Sequence, residues 1–245
     1  FILDNLVSII FLVISFLAIP VSGLSAHHII AEILTRIGRN SFLVFALILP
    51  IMAGMGINFG MVLGAMAGQI GLIFAMDWSI GGIYGLVFAA GIGMPLSILL
   101  GIVAGSVLNR ARGREMVTSY ILGFFFNGIY QFFVLFILGS VIPMHNKAIM
   151  LSRGYGVRNT LELAPVRQML DTAIPLTIAG FKIPILSYLI IIALCFFIVW
   201  FRKTKLGQDM RAIGQNPAVS LASGIAVERT RIISIVISTV LACIG

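Results

Sequence analysis

The sequence predicts an all-α, polytopic membrane protein of about seven transmembrane helices, with some broken or re-entrant segments. Three observations carry this reading. Sixty per cent of residues are hydrophobic and only ten per cent are charged, a balance foreign to a soluble domain of this length. Apolar runs of about 20 residues, the length a helix needs to cross a bilayer, recur along the chain. Polar segments separate these runs, and backbone that leaves the helix must also leave the hydrocarbon to find hydrogen-bond partners.

In chain order, the first span is Ile2–Val21, with Asp4 near its start and Pro20 near its end. It has neither the basic leading region nor the small-residue cleavage site of a signal peptide. The second span is Phe42–Ile57, the third Gly60–Met76 and the fourth Gly82–Leu108. Gly91, Gly93 and Pro95 fall inside the fourth and predict a break there. The fifth is Met116–Ile142, the sixth Ile183–Phe201, and the seventh starts near Ile232. The chain begins without Met and stops inside the seventh run. The expectation is a single transmembrane domain over residues 1–245 whose C-terminal helices lie beyond Gly245.

Loop charge orients the spans in the membrane. The segments Asn109–Glu115 and Arg202–Arg231 hold nine of the sixteen Lys and Arg residues, which places both in the cytoplasm. Alternation leaves Ser22–Asn40 and Pro143–Lys182 outside. The net charge of +8 therefore reflects membrane topology, and no basic-aromatic surface remains for nucleic acid. Cys195 and Cys243 both lie in apolar runs and read as small packed hydrophobes, with no disulfide framework or thiolate metal site.

The loop Arg202–Arg231 has an architecture of its own. Leu206, Met210 and Ile213 fall at i, i+4 and i+7 and predict one buried face of a short helix. Asn216 then caps a second short helix, Pro217 is preformed at its first position, and Gly224 closes its end. Two short amphipathic helices on a basic membrane loop suit docking against a soluble partner.

The stretch LGQDMRAIGQNPAVSLASGI resembles the cytoplasmic coupling loop of ABC-transporter permeases of the branched-chain amino acid, simple sugar and nucleoside import group. The matching positions are Leu206-Gly207, Arg211-Ala212, Gly214, Asn216-Pro217, Ala222 and Gly224-Ile225. Two further segments resemble the same family. In GMGINFGMVLGAMAGQIGLIFA, Asn58-x-Gly60 precedes Gly68-Gln69, although Ala67 stands where the family has an acidic residue. In GIVAGSVLNRARGREMVTSYILGFFFNGIYQ, Glu115, Thr118, Ser119 and Asn127 occupy the family's places. The resemblance runs from about Arg36 to the end and is weakest over Met144–Lys182.

The resemblance implies a permease subunit of an ATP-driven importer, forming the translocation path for a nucleoside or simple sugar. Branched-chain amino acids are the alternative substrate. It implies four kinds of neighbour: an ATP-binding subunit that carries ATP and Mg, a second permease subunit (a copy or a homologue), an extracytoplasmic substrate-binding protein, and membrane lipids. The coupling residues it implies are Leu206, Gly207, Met210, Arg211, Ala212, Ile213, Gly214, Asn216, Pro217 and Gly224. The chain itself has no GxxxxGK[ST] loop to cradle phosphates, and neither HExxH nor GxSxG. It reads as a transport subunit with no cofactor of its own. His27-His28 has no spaced partners that would complete a metal site.

Polar side chains in hydrocarbon are costly and face protein or a water-filled path. Asn127 and Gln131 lie at i, i+4 on the fifth span, near Tyr120, Phe124 and Tyr130. Amides suit sugar hydroxyls or base edges, and aromatic faces suit either ring. Asn58 and Gln69 form a second candidate pair. Hydrogen bonds between helices would explain the same amides. Gly56, Gly60, Gly64 and Gly68 recur every four residues, as do Gly101 and Gly105, and predict close helix packing. The resemblance implies that the outer segment Met144–Lys182, with His145, Arg153, Arg158 and Glu162, supports the mouth of the pathway and helps dock the binding protein. An ion-coupled secondary transporter is the alternative of another class; of its requirements only the Gly91–Pro95 break is present.

Overall fold

The structure, a computed structural model, describes residues 6–111, 113–146, 149–152, 154–158, 175–178 and 181–245. Among them are nine α-helices: α1 (Leu6–Val21), α2 (Ala26–Met52), α3 (Met61–Asp77), α4 (Gly82–Arg110), α5 (Glu115–Phe132), α6 (Ile185–Phe201), α7 (Lys205–Gln215), α8 (Pro217–Ala222) and α9 (Val227–Ile244). One antiparallel strand pair, β1 (Pro175–Ile178) and β2 (Phe181–Pro184), precedes α6, with Pro175 opposite Pro184. The spans are all helical, as the composition requires. The hairpin is an addition within the outer segment, and it moves the start of the sixth span from Ile183 to Ile185.

Among the described residues, three helical stretches are long and apolar enough to cross a membrane: His27–Met52, Gly82–Arg110 and Glu115–Ile137. Leu6–Val21, Met61–Asp77 and Tyr188–Phe201 are shorter apolar helices. The largest departure from expectation is α2, which begins at Ala26 and takes in residues assigned above to an outer segment. The Ser25 side chain caps it by accepting from the His28 amide. Glu32 and Arg36 then pair across one turn at 3.0 Å on its exposed face. Charge at helical spacing lengthens this helix beyond its apolar run.

Helix α4 is continuous through Pro95 for 29 residues, so the expected break is absent. Proline leaves the carbonyl four residues back without its bond and crowds it with the ring. That residue is Gly91, and nothing lies within 4 Å of where its Cβ would stand. The helix therefore has room to adjust. Helix α5 ends differently: over Phe133–Ile137 its last turn widens, and the Leu138 amide donates to the Phe133 carbonyl at 3.1 Å. The fifth span stops at Ile137 rather than Ile142.

Helices α3, α4 and α9 form the tightly packed centre, with α2 against α9 and α6 against α2. The apolar core joins Leu49 of α2, Leu63 of α3, Leu108 of α4, Ile198 of α6, Met210 of α7 and Ile235 of α9. Hydroxyls also lie inside: Ser97, Ser119, Ser234, Ser238 and Thr239 are buried. Thr239 Oγ1 donates to the Ser97 carbonyl at 3.2 Å, joining α9 to α4. Large apolar side chains meanwhile cover the exterior, and none of α1 is buried. This inversion suits a chain whose solvent is lipid.

The glycine periodicity divides in two. Helix α3 starts at Met61, so Gly56 and Gly60 belong to the connection before it, and Gly56 sits at φ +68°. They are not part of a helical ladder. Only Gly64 and Gly68 are helical, and they let α3 approach the carbonyls of Thr239 and Cys243 on α9. Gly101 and Gly105 of α4 do the same towards Val236 and Ile232. A period of four is identical inside and outside a helix, which is why the sequence alone runs them together.

Candidate functional site

The basic loop folds as its local chemistry directs. Thr204 caps α7, its Oγ1 accepting from the Gly207 amide at 3.3 Å. Asn216 ends α7 and caps α8: its Oδ1 accepts from the Ala218 amide at 3.0 Å and the Val219 amide at 3.2 Å. Pro217 occupies the first position of α8, and Gly224 closes the turn at φ +80°. Met210 and Ile213 are fully buried as expected, but Leu206 is 37% exposed. Gly207 takes its place on the buried face, because there α7 passes directly over the Phe201 carbonyl at the end of α6. Arg211 is exposed and Ala212 half-buried.

At its other end α7 meets the connection between α2 and α3. Gly214 packs on the Met52 carbonyl, and a Cβ on Gly54 would stand 3.0 Å from the Gly214 Cα. Gly54 itself is held at φ +70°, a conformation that favours glycine. Arg231 of α9 donates from Nη2 to the Gly54 carbonyl at 3.3 Å. Nη1 of the same guanidinium donates to Glu115 Oε1 at 3.4 Å, with both side chains nearly buried. Glu115 lies in the first turn of α5, where a carboxylate also suits the helix dipole. One junction thus ties α2, α5, α7 and α9 together at the basic end. The loops grouped there by charge, 109–115 and 202–231, do meet in space.

Outside this junction, α8 turns Val219 and Leu221 outward, both more than half exposed. A cleft of about 710 Å³ lies beside it, lined among others by Glu115, Pro217, Leu221, Val227 and Arg231. The loop therefore shows an apolar, basic-flanked outer face and a glycine-tight inner one.

The candidate path residues are arranged as follows. At 100° per residue, Tyr120, Phe124, Asn127 and Gln131 fall within an arc of about 60° on α5. Tyr120, Phe124 and Gln131 are exposed and Asn127 is half-buried. Tyr120 and Phe124 stack edge to face with centroids 4.6 Å apart. Phe59, from the α2–α3 connection, meets Tyr120 at 5.5 Å, and its amide donates to Ser119 Oγ at 3.1 Å. The lower end of this stripe therefore touches the segment that α7 grips.

Asn58 and Gln69 are not brought together. Asn58 is buried in the connection, where its Oδ1 accepts from the Gly60 amide at 2.8 Å while Nδ2 has no partner among the described residues. Gln69 lies two turns into α3 with its side chain exposed.

At the opposite end, Asp77 is 4% exposed and anchors the outer segment. It accepts from the His145 amide at 2.7 Å and the Asn146 amide at 2.9 Å, with His145 Nδ1 at 3.2 Å. Arg158 Nε donates to the Met150 carbonyl at 3.2 Å. Arg153 and Glu162 lie outside the described residues.

Among residues whose roles the sequence did not reveal, Gly54, Asp77 and Arg231 stand out. Each is defined by a partner far along the chain, and Arg231 meets Glu115 across 116 positions. The one available signal was the charge itself, at the margins of apolar runs.

Comparison with known proteins agrees with this architecture. The family described as branched-chain amino acid transport system, permease component, matches residues 29–245. Among curated proteins, the Autoinducer 2 import system permease protein LsrD of Escherichia coli (strain K12) is 25% identical over 177 residues. The protein of that name from Shigella flexneri gives the same identity. In both cases the match covers 72% of this chain and 46% of the relative, so the chain spans about half the length of the curated relatives it matches. No solved structure matches the chain significantly. With the family covering nearly all of the described helices, the chain belongs to the ABC-importer permeases of the branched-chain amino acid transport type, multi-pass proteins of the inner membrane.

Proposed function

We propose that this chain forms part of the substrate pathway of an ATP-driven importer and that its cargo is a small, hydroxyl-rich, sugar-type molecule. ATP and Mg are bound by a separate ATPase subunit. A second permease subunit faces α5, and a binding protein delivers cargo at the end marked by Asp77. The observation that carries the reading is the folded loop α7–α8. Its inner face is locked by glycine contact to the α2–α3 connection, and its outer face presents Val219 and Leu221. Motion imposed on α8 by a soluble ATPase would pass through Gly214 into the membrane helices. A ligand that binds two states of the ATPase differently then shifts the permease between two states.

The sugar-type assignment rests on the α5 stripe and on the name of the relatives. Asn127 and Gln131 offer amide donors and acceptors, and Tyr120 and Phe124 offer flat apolar faces, within one arc of the helix. That pairing of functions suits a ring bearing hydroxyls. Purification of the full-length protein from its native membrane, in a complex-preserving lipid environment, tests the reading. An ATPase and a binding protein loaded with a sugar-type ligand are the expected companions. A protein that repeatedly purifies alone would overturn it in favour of a self-sufficient transporter.

A further inference from the structure

The nearly buried guanidinium of Arg231 has no role assigned so far, and its surroundings are unusual. It touches two groups from different elements, Glu115 of α5 and the Gly54 carbonyl, at 3.4 and 3.3 Å. Both are long for charge-assisted hydrogen bonds. Its Nε is buried with no partner among the described residues. A buried arginine with unmet donors and two loose contacts is not a tightly satisfied structural lock, since burial normally demands full pairing. It has donors left for a second arrangement.

Its position decides what such a rearrangement would do. Gly54 meets the Gly214 backbone of α7 and, through its carbonyl, Arg231 of α9. The connection that carries Gly54 runs between α2 and α3, and both Gly54 and Gly56 there adopt positive φ. Any displacement of α7 that moves Gly214 must move Gly54, and with it the carbonyl that Arg231 holds. Glu115, on the first turn of α5, shares the same guanidinium. The α5 stripe is therefore one ion pair away from the coupling loop.

We propose that Arg231 and Glu115 are positioning residues that pass displacement of α7 to α5, by re-pairing the guanidinium as Gly54 shifts. They touch neither ATP nor cargo. The proposal rests on the importer reading. Re-pairing needs only a small helix shift at a packed interface, of about 1–2 Å.

The test uses the full-length protein assembled with its own ATPase subunit in lipid nanodiscs. Spin labels are placed by Ile121→Cys on α5 and Val87→Cys on α4, a helix of the packed centre, both exposed positions, in a Cys195→Ala, Cys243→Ala background, so that the separation reads the movement of α5. The probe is Mg-ATP alone. In the otherwise wild-type protein the label separation is expected to shift by about 2 Å. Arg231→Gln and Glu115→Gln should each abolish the shift while the ATPase subunit stays bound in the assembled complex. The exchange Glu115→Arg with Arg231→Glu should restore it.

A full-sized shift in both single variants overturns the proposal. So does a loss of shift that tracks loss of assembly and is not restored by the exchange, because that outcome marks a purely structural pair. A wild-type chain that neither assembles with an ATPase nor responds to Mg-ATP sinks the importer reading itself, and the coupling pair with it.

Discussion

Gly54 and Gly214 meet backbone against backbone, a Cβ on the first standing only 3.0 Å from the Cα of the second. Gly54 is fixed by its positive φ as well as by space. Gly214 is fixed by space alone, because any side chain there runs into the Met52 carbonyl. The loop of α7 and α8 is seated by the absence of two side chains, and a seat made that way is intolerant of growth.

Gly214→Val is the sharpest challenge to it. Overpacking of this kind costs about 1–3 kcal/mol, well below what the whole core of α2, α3, α4 and α9 supplies. The variant should reach the membrane at near-normal levels while ATP-driven accumulation disappears. Immunoblotting of membrane fractions alongside uptake measures both. Accumulation at the normal rate would show that the contact does not couple the loop to the spans.

Asn216→Ala should loosen α8 without disturbing α7. The asparagine Oδ1 satisfies two amides at once, those of Ala218 and Val219. Loss of such a cap costs about 1 kcal/mol, or roughly a fivefold rise in local opening. Hydrogen exchange should accelerate over residues 217–222 and stay unchanged in the interior of α7. Asn216→Asp, which keeps the acceptor, should restore protection. Uniform exchange across both helices in the alanine variant would contradict the capping role.

How far the sequence led depends on the range of the interaction. The cap at Asn216, the proline at 217 and the left-handed Gly224 were legible because each acts on residues one to four positions away. The apolar runs located α3, α4 and α6 within a few residues, since hydrocarbon imposes length directly. Helix α2 was cut short because Glu32 and Arg36 look like loop charges until their i, i+4 pairing is seen. Leu206 and Gly207 exchanged places on the buried face of α7 because close backbone approach, rather than side-chain volume, decides that contact. The Glu115–Arg231 pair and the Gly54 junction showed in the sequence only as charge at the margins of apolar runs. Their partners stand 116 to 177 positions apart, and only the folded packing joins them.

Asp77→Ala should free the outer segment from the end of α3. The carboxylate receives two backbone amides and faces a histidine nitrogen, and each bond to a charged acceptor contributes about 1.5–3 kcal/mol. Removing it leaves the His145 and Asn146 amides to find water. Limited proteolysis from the outer side should then cut between residues 144 and 158 faster than in the parent. Asp77→Asn, which keeps one acceptor oxygen, should give an intermediate rate. Identical digestion of all three proteins would mean that the segment is held elsewhere.

The α5 stripe makes a directional prediction that composition alone cannot. Lipid and a water-filled path both leave a side chain uncovered by its own chain, and Phe125 and Gln131 are both exposed by that measure. They differ in angle: Phe125 stands about 140° around the helix from Tyr120, whereas Asn127 and Gln131 stand within about 20° of it. A thiol ionises and reacts with a charged methanethiosulfonate only where water reaches it. In the assembled complex, in a background lacking Cys195 and Cys243, Asn127→Cys and Gln131→Cys should therefore be modified. Phe125→Cys should stay inert. Mg-ATP should change the rate at the first two positions, because alternating access opens the path to one side at a time. Equal reactivity at all three would place the stripe against lipid or bulk water and remove α5 from the pathway. Inertness at Asn127 and Gln131 with reaction at Phe125 would put the path on the other side of the helix, beyond the reach of the Tyr120–Phe124 pair.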